Sequence, residues 1–191
     1  MSRRQIASLQ YLSLIKVICC IVVVLSLNEI STGSPKMEII STAFKHNDQI
    51  PRRYTGEGDD VSPRLEWSSP PPEAKELALI CDDPDAPSKE AWVHWVLYKI
   101  PLGVHEIPEA RPQEPSLTEP PGALQGKNSW GSLGYRGPMP PPGHGTHHYY
   151  FKLFALDKAM DLKPGLDKAG LLNAIKGHVI AETCLIGTYR R

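Results

Sequence analysis

Residues 81–100 read CDDPDAPSKEAWVHWVLYKI. The second half, Val93 to Ile100, is apolar, β-branched or aromatic at nearly every position. That is the composition of a strand buried on both faces. The first half holds Asp83-Pro84-Asp85-Ala86-Pro87, in which two prolines fix φ at two of five positions and hold the carboxylates in place. By the period of two, His94 falls on the face of Val96, Tyr98 and Ile100. A histidine there is either a satisfied core residue or a group turned into a site. The pentapeptide is open in the same way. It reads as a solvated Asp/Pro turn, or as a rigid carboxylate that selects the tautomer of a neighbouring imidazole.

The flanking sequence extends the strand pattern. Glu76 to Cys81 (ELALIC) is a compact core strand that runs straight into the Asp/Pro turn. Met37 to Phe44 and Arg64 to Trp67 are shorter strands, separated by a polar loop with Gly56 and Gly58. Beyond Ile100, residues 101–126 form a long Pro-rich connection. A loop of that length in a compact domain is a functional element or a surface cover. Tyr149 to Leu156 (YYFKLFAL) and Thr183 to Tyr189 are further strands. Asp167 to Lys176 is the one good helix, with Leu171, Leu172 and Ile175 on one stripe and Gly177 as its stop. With 19 prolines, 15 glycines and 41% apolar residues in 191, the chain reads as one ordered domain rich in turns. The expected class is mainly β: an antiparallel β-sandwich with Greek-key-length connections and one main C-terminal helix.

A second Pro/Gly-rich stretch, Gly137 to Tyr149 (GPMPPPGHGTHHY), also runs into a strand. Its glycines let backbone approach a ligand and expose N–H groups, and its prolines stiffen the loop, which suits an anion-binding concavity. His147 and Tyr149 are two apart at the start of a strand and point the same way. The plain alternative is a surface loop with exposed histidines.

The N-terminus stands apart. Arg3, Arg4 and Lys16 precede the apolar run VICCIVVVLSL at residues 17–27, and small residues follow at Ser31 and Gly33. The run has the length of a signal-peptide core and is short for a membrane span. Residues 1–33 are therefore a signal peptide or an N-terminal membrane anchor, and 34–191 the domain. The protein is expected to be exported, periplasmic or extracellular, or held at the membrane. It is cytoplasmic if the leader is a start-site artefact. Cys81 and Cys184 would remain after cleavage, as one disulfide or as two buried thiols. A net charge of +0 carries no nucleic-acid footprint.

Asp83-Pro84-Asp85-Ala86-Pro87, Trp92-Val93-His94-Trp95 and Gly137-Pro138 through Gly145-Thr146-His147-His148-Tyr149 together resemble the phosphatidylethanolamine-binding protein family, also called Raf kinase inhibitor-like, and its bacterial-type branch most. The C-terminal run from Leu171 to Tyr189 is similar to that branch too. The resemblance covers residues 37–190. It implies a β-sandwich of antiparallel sheets with a Greek-key core, and a pocket for phosphate-like and carboxylate anions. The pocket wall falls on Asp83, Trp92, His94, Gly137, His147 and Tyr149. Pro138 lies in the same turn, and Asp85 supports the loop. His148 stands where the animal branch commonly has Arg. The resemblance implies no catalytic residue, metal or cofactor.

The leading expectation is a non-enzymatic binding protein. Its ligand would be a phospholipid head group, a phosphorylated small molecule or a phospho-residue, with kinase-inhibitor-like regulation in view. One alternative is a metal-dependent hydrolase using His144, His147 and His148 with His94 and Asp83. Another is a protease or kinase inhibitor acting through its surface. A Ser/His/Asp hydrolase has no Gly-x-Ser-x-Gly elbow to stand on. The sequence leaves a protein kinase or protease partner, and a homodimer, open.

Overall fold

The computed structural model describes residues 36–191. Residues 1–33, read from the sequence as a signal peptide or anchor, lie outside the described residues. Among those described, no helix is long and apolar enough to cross a membrane. The strands are β1 (Ile39–Ile40), β2 (Leu65–Trp67), β3 (Glu76–Asp83), β4 (Trp92–Ile100), β5 (Glu106–Ile107), β6 (Leu124–Gln125), β7 (His147–Leu156) and β8 (Val179–Tyr189). Among the described residues there is one α-helix, α1, spanning Lys168–Ala174. The strands form two antiparallel sheets, one in the order β1-β2-β5 and one in the order β6-β4-β3-β7-β8. The stretch at 101–126 is thus more than a connection. It supplies β5 to the small sheet and β6 to the large one.

Strand alternation divides the apolar residues between two cores. Leu77, Leu79 and Cys81 of β3 join Leu65 and Trp67 of β2 and Ile107 of β5 in a core built from both sheets. Ala78 and Ile80 point the other way, into a smaller core closed by Leu171 and Ile175. In α1, Asp167 is the N-cap, its side chain accepting from the Gly170 N–H at 2.7 Å. Gly177, at φ +80°, turns the chain out of the helix. Leu172 does not share the buried stripe: it is 39% exposed, because a helix this short lays only a narrow face on the sheet.

The strand β4 departs from simple alternation twice. Cys81 pairs with Trp95 but the next residue, Asp82, pairs with Val93, so His94 is an extra residue in a β-bulge. The bulge inverts the phase of the strand. Val93 lies with Val96 and Tyr98 in the smaller core, while the His94 ring stands against Tyr149 of the larger one, centroids 5.0 Å apart. Further along, Leu77 pairs with Ile100 and Leu79 with Leu97, and Lys99 in between takes φ +56°. Ile100 therefore also sits in the larger core. The common face expected for His94, Val96, Tyr98 and Ile100 does not exist.

Among the described residues, Cys81 and Cys184 are both free. Cys81 pairs with Phe151 in β7, which pairs in turn with Leu185, so β7 separates the two cysteine strands. Strands two apart are roughly 9–10 Å away from each other, beyond the roughly 7 Å a disulfide spans. The disulfide alternative is excluded by this geometry.

Candidate functional site

The C-terminal end of β3, the start of β4 and the start of β7 lie side by side, because β3 pairs with both neighbours. This brings the Asp/Pro turn, His94 and the His147-x-Tyr149 pair to one end of the large sheet. A cavity of about 260 Å³ opens there. Asp83, His94, His147 and Tyr149 form its polar floor. Trp92 and Trp130 wall one side, ring centroids 5.3 Å apart and edge-on. Ala86, Pro87 and Ser88 contribute from the turn, and Met139, Pro140 and Pro141 from the second loop. Among these residues there is no lysine or arginine.

Each floor residue has a defined state. His94 is buried, and its Nδ1–H donates to the Arg136 carbonyl at 2.6 Å. A carbonyl only accepts, so the proton is fixed on Nδ1 and Nε2 keeps its lone pair while the ring is neutral. The backbone closes the same clamp, with the Arg136 N–H donating to the His94 carbonyl at 3.0 Å. Burial pushes the His94 pKa below the ordinary histidine value, against the Arg136 hydrogen bond and the charges of Asp83, Asp60 and Asp82. The Tyr149 hydroxyl is buried and has no hydrogen-bond partner among the described residues. Burial and then the Asp83 charge raise its pKa far above the phenol range, so it is a donor.

His147 Nδ1 donates to Asp83 Oδ2 at 2.7 Å, with both side chains nearly inaccessible. The second Asp83 oxygen accepts the Asp85 N–H at 2.8 Å, an Asx-type turn that stiffens the loop. His147 Nε2 lies 2.8 Å from Nδ1 of His144, an exposed residue between Gly143 and Gly145. The three side chains make a row, Asp83–His147–His144.

The other sequence-read residues lie around this floor. Asp85 sits outside, its Oδ2 accepting from both the backbone N–H (2.8 Å) and the ring Nδ1 (2.7 Å) of His148. Burial pushes the Asp85 carboxyl up, but these bonds outweigh it and hold it below the usual value. Gly137 and Pro138 do not line the cavity. The Gly137 N–H donates to Asp60 Oδ1 at 2.6 Å, so it is not offered to a ligand. Its lack of a side chain serves packing: a Cβ there would lie 2.1 Å from the Tyr54 carbonyl oxygen. Pro138 accepts the Gly56 N–H through its carbonyl at 2.9 Å, joining the same seam.

Trp130 is the largest of the pocket residues that sequence reading missed, with Ser88, Met139, Pro140 and Pro141 among the others. It is 38% exposed, stacks edge-on with His94 at 5.2 Å, and carries the Arg136 guanidinium 4.8 Å above its ring. Its turn is set by Asn128, whose Oδ1 accepts the N–H groups of Trp130 (3.0 Å) and Ser132 (3.2 Å). Asp82, the neighbour of Asp83, points through the sheet to the opposite side. There it is buried against Lys152 at 2.9 Å and Lys168.

The hydrolase alternative finds no support in this geometry. Both His147 nitrogens are engaged, and the His148 ring lies outside on Asp85. Among the described residues, no group of three His, Cys, Asp or Glu is placed to hold a metal ion.

Comparisons with known proteins agree with the architecture. A UPF0098 protein of Methanothermobacter thermautotrophicus is 50% identical over 155 residues, covering 81% of this chain and 99% of its own. The crystal structure of a phosphatidylethanolamine-binding protein homolog from Chlamydia trachomatis superposes with a TM-score of 0.74 at 37% identity, covering 83% of this chain and 99% of that one. YbcL of E. coli, described as a member of the mammalian PEBP family, gives a TM-score of 0.76 at 30% identity over 82% of this chain and 99% of its own. The family model for phosphatidylethanolamine-binding protein matches residues 40–190, and this chain belongs to that family.

Proposed function

We propose that the protein is a non-enzymatic binding protein whose cavity takes an anionic, phosphate-bearing ligand. The observation that carries this reading is the Tyr149 hydroxyl, buried and unpartnered on the cavity floor beside two imidazoles. A buried donor without an acceptor costs about 1–3 kcal/mol, and a ligand oxygen relieves that cost. Family membership supports a ligand-binding role. The chain is further proposed to reach its ligand after export, with residues 1–33 as the leader.

His147 contributes once His144 swings away from its Nε2, which the flanking Gly143 and Gly145 permit. Losing one charge-assisted hydrogen bond costs roughly 1.5–3 kcal/mol, or about ten- to a hundredfold in affinity. Calorimetric titration with inorganic phosphate tests the reading. His94→Ala and His147→Ala should each lose that much, and His105→Ala, in the exposed segment just before β5 of the other sheet, nothing. Equal affinity in all four proteins would leave the histidines as packing.

A further inference from the structure

Resting on that reading, we infer that the cavity selects anions that keep one acidic proton, in particular the monoanion of a phosphate monoester, over phosphate diesters. The floor offers mixed polarity. Tyr149 presents an O–H donor with no partner. His94 presents the Nε2 lone pair, because its proton is held at Nδ1 by the Arg136 carbonyl. No lysine or arginine lines the cavity among the described residues, and Asp83 adds a carboxylate. A dianion would meet one neutral donor, the lone pair of His94, a second lone pair on His147 once His144 swings away, since its proton is held at Nδ1 by Asp83, and a negative charge. A monoester monoanion, R–O–PO₃H⁻, fits both groups. A P–O oxygen accepts from Tyr149, and its P–OH donates to His94 Nε2. A diester has acceptor oxygens only, so it leaves His94 facing a second lone pair unless the ring takes up a proton.

That proton is disfavoured. The groups around His94 are Tyr149 from β7 at 5.0 Å, Trp130 at 5.2 Å with the Arg136 guanidinium on its ring, the Arg136 carbonyl on Nδ1, and the charges of Asp83, Asp60 and Asp82, with His147 sharing the cavity floor. Asp60, Asp82 and Asp83 favour the imidazolium, but burial outweighs them. The apolar walls of Trp92, Trp130 and Met139 leave room for the small organic group of an ester.

The test uses the wild-type protein and two probes that differ by one methyl group and carry the same charge at pH 5.5: methyl phosphate and dimethyl phosphate. Inorganic phosphate serves as a third, to separate a preference for the ester group from a preference for the acidic proton. Calorimetry at pH 5.5 should show methyl phosphate binding about ten- to a hundredfold more tightly than dimethyl phosphate, since a mispaired buried acceptor costs about that much. The preference should shrink toward pH 8, as the monoester loses its second proton. It should vanish in His94→Ala, while Tyr149→Phe weakens both probes alike. If both probes bind wild type equally, the anion pocket stands and this inference falls. If neither binds, the pocket reading falls and takes the inference with it.

Discussion

Asp83→Asn is the sharpest single test of how the cavity floor is held. Asp83 is buried, and its two oxygens accept from His147 Nδ1 at 2.7 Å and from the Asp85 N–H at 2.8 Å. An asparagine keeps the shape but has only one accepting oxygen. If that oxygen stays on the Asp85 N–H, the amide NH₂ confronts His147. The imidazole must then move its proton from Nδ1 to Nε2. If the amide flips, two donors meet at the Asp85 N–H instead. Either way a charge-assisted bond of about 1.5–3 kcal/mol becomes a neutral one of about 0.5–1.5 kcal/mol, a loss of roughly 1–2 kcal/mol. For a domain of this size that lowers Tm by about 2–8 °C. Scanning calorimetry reads the stability, and nitrogen NMR of the His147 ring reads the tautomer. A variant with unchanged Tm and the proton still on Nδ1 would refute the argument.

Other outcomes follow from the same geometry. His94 has a lowered folded pKa, so the unfolded chain binds its proton first; its contribution is complete above about pH 6.5 and is lost as pH falls from there toward the folded value. His94→Asn keeps a donor for the Arg136 carbonyl without the titration, and its Tm should fall less than the wild type's between pH 7 and 5. Gly137→Ala places a Cβ 2.1 Å from the Tyr54 oxygen, so urea unfolding should show a loss of about 1–3 kcal/mol, and a wild-type midpoint would contradict the close packing. In protein beginning at Ser34, a thiol reagent should find two free thiols after denaturation. In native protein it should find neither quickly, because burial raises Cys81 and pushes Cys184 up to about 11. N-terminal sequencing of protein from its own cell should begin near Ser34, and an intact Met1 would count against export.

Much of the large sheet was legible because its strands are long, apolar and β-branched: β3 and β4 run nearly where the pattern places them, while β7 and β8 contain the expected runs but start earlier, at His147 and Val179. The bulge at His94 was not legible, since an extra residue in a continuously apolar strand leaves no mark in the sequence. It shows only in the pairing of Cys81 and Asp82 with β4. The two-residue strands β5 and β6 are equally silent, being defined by partners distant in sequence. Trp130 could have been found. An asparagine, an aromatic and a glycine in Asn128-Ser129-Trp130-Gly131 are the signal of an Asx-held turn presenting its side chain outward. Gly137 was read as a ligand contact because glycine serves two ends, exposing backbone N–H groups or admitting a close neighbour, and only the position of Asp60 and Tyr54 decides between them.

The back-to-back carboxylates at the end of β3 bear on how the chain finds its alignment. An apolar strand can slide along its neighbours and still bury oily side chains. This one cannot, because Asp82 finds ammonium groups on one side of the sheet and Asp83 an imidazole on the other. If β3 moved one residue along β7 so that Asp83 took the place of Asp82, Asp82 would enter the apolar position of Cys81. A carboxylate buried there without a partner costs several kcal/mol, much of what holds a domain together. The pair therefore acts as a stop against that slip, helping to fix the alignment of the central strands on which the cavity depends.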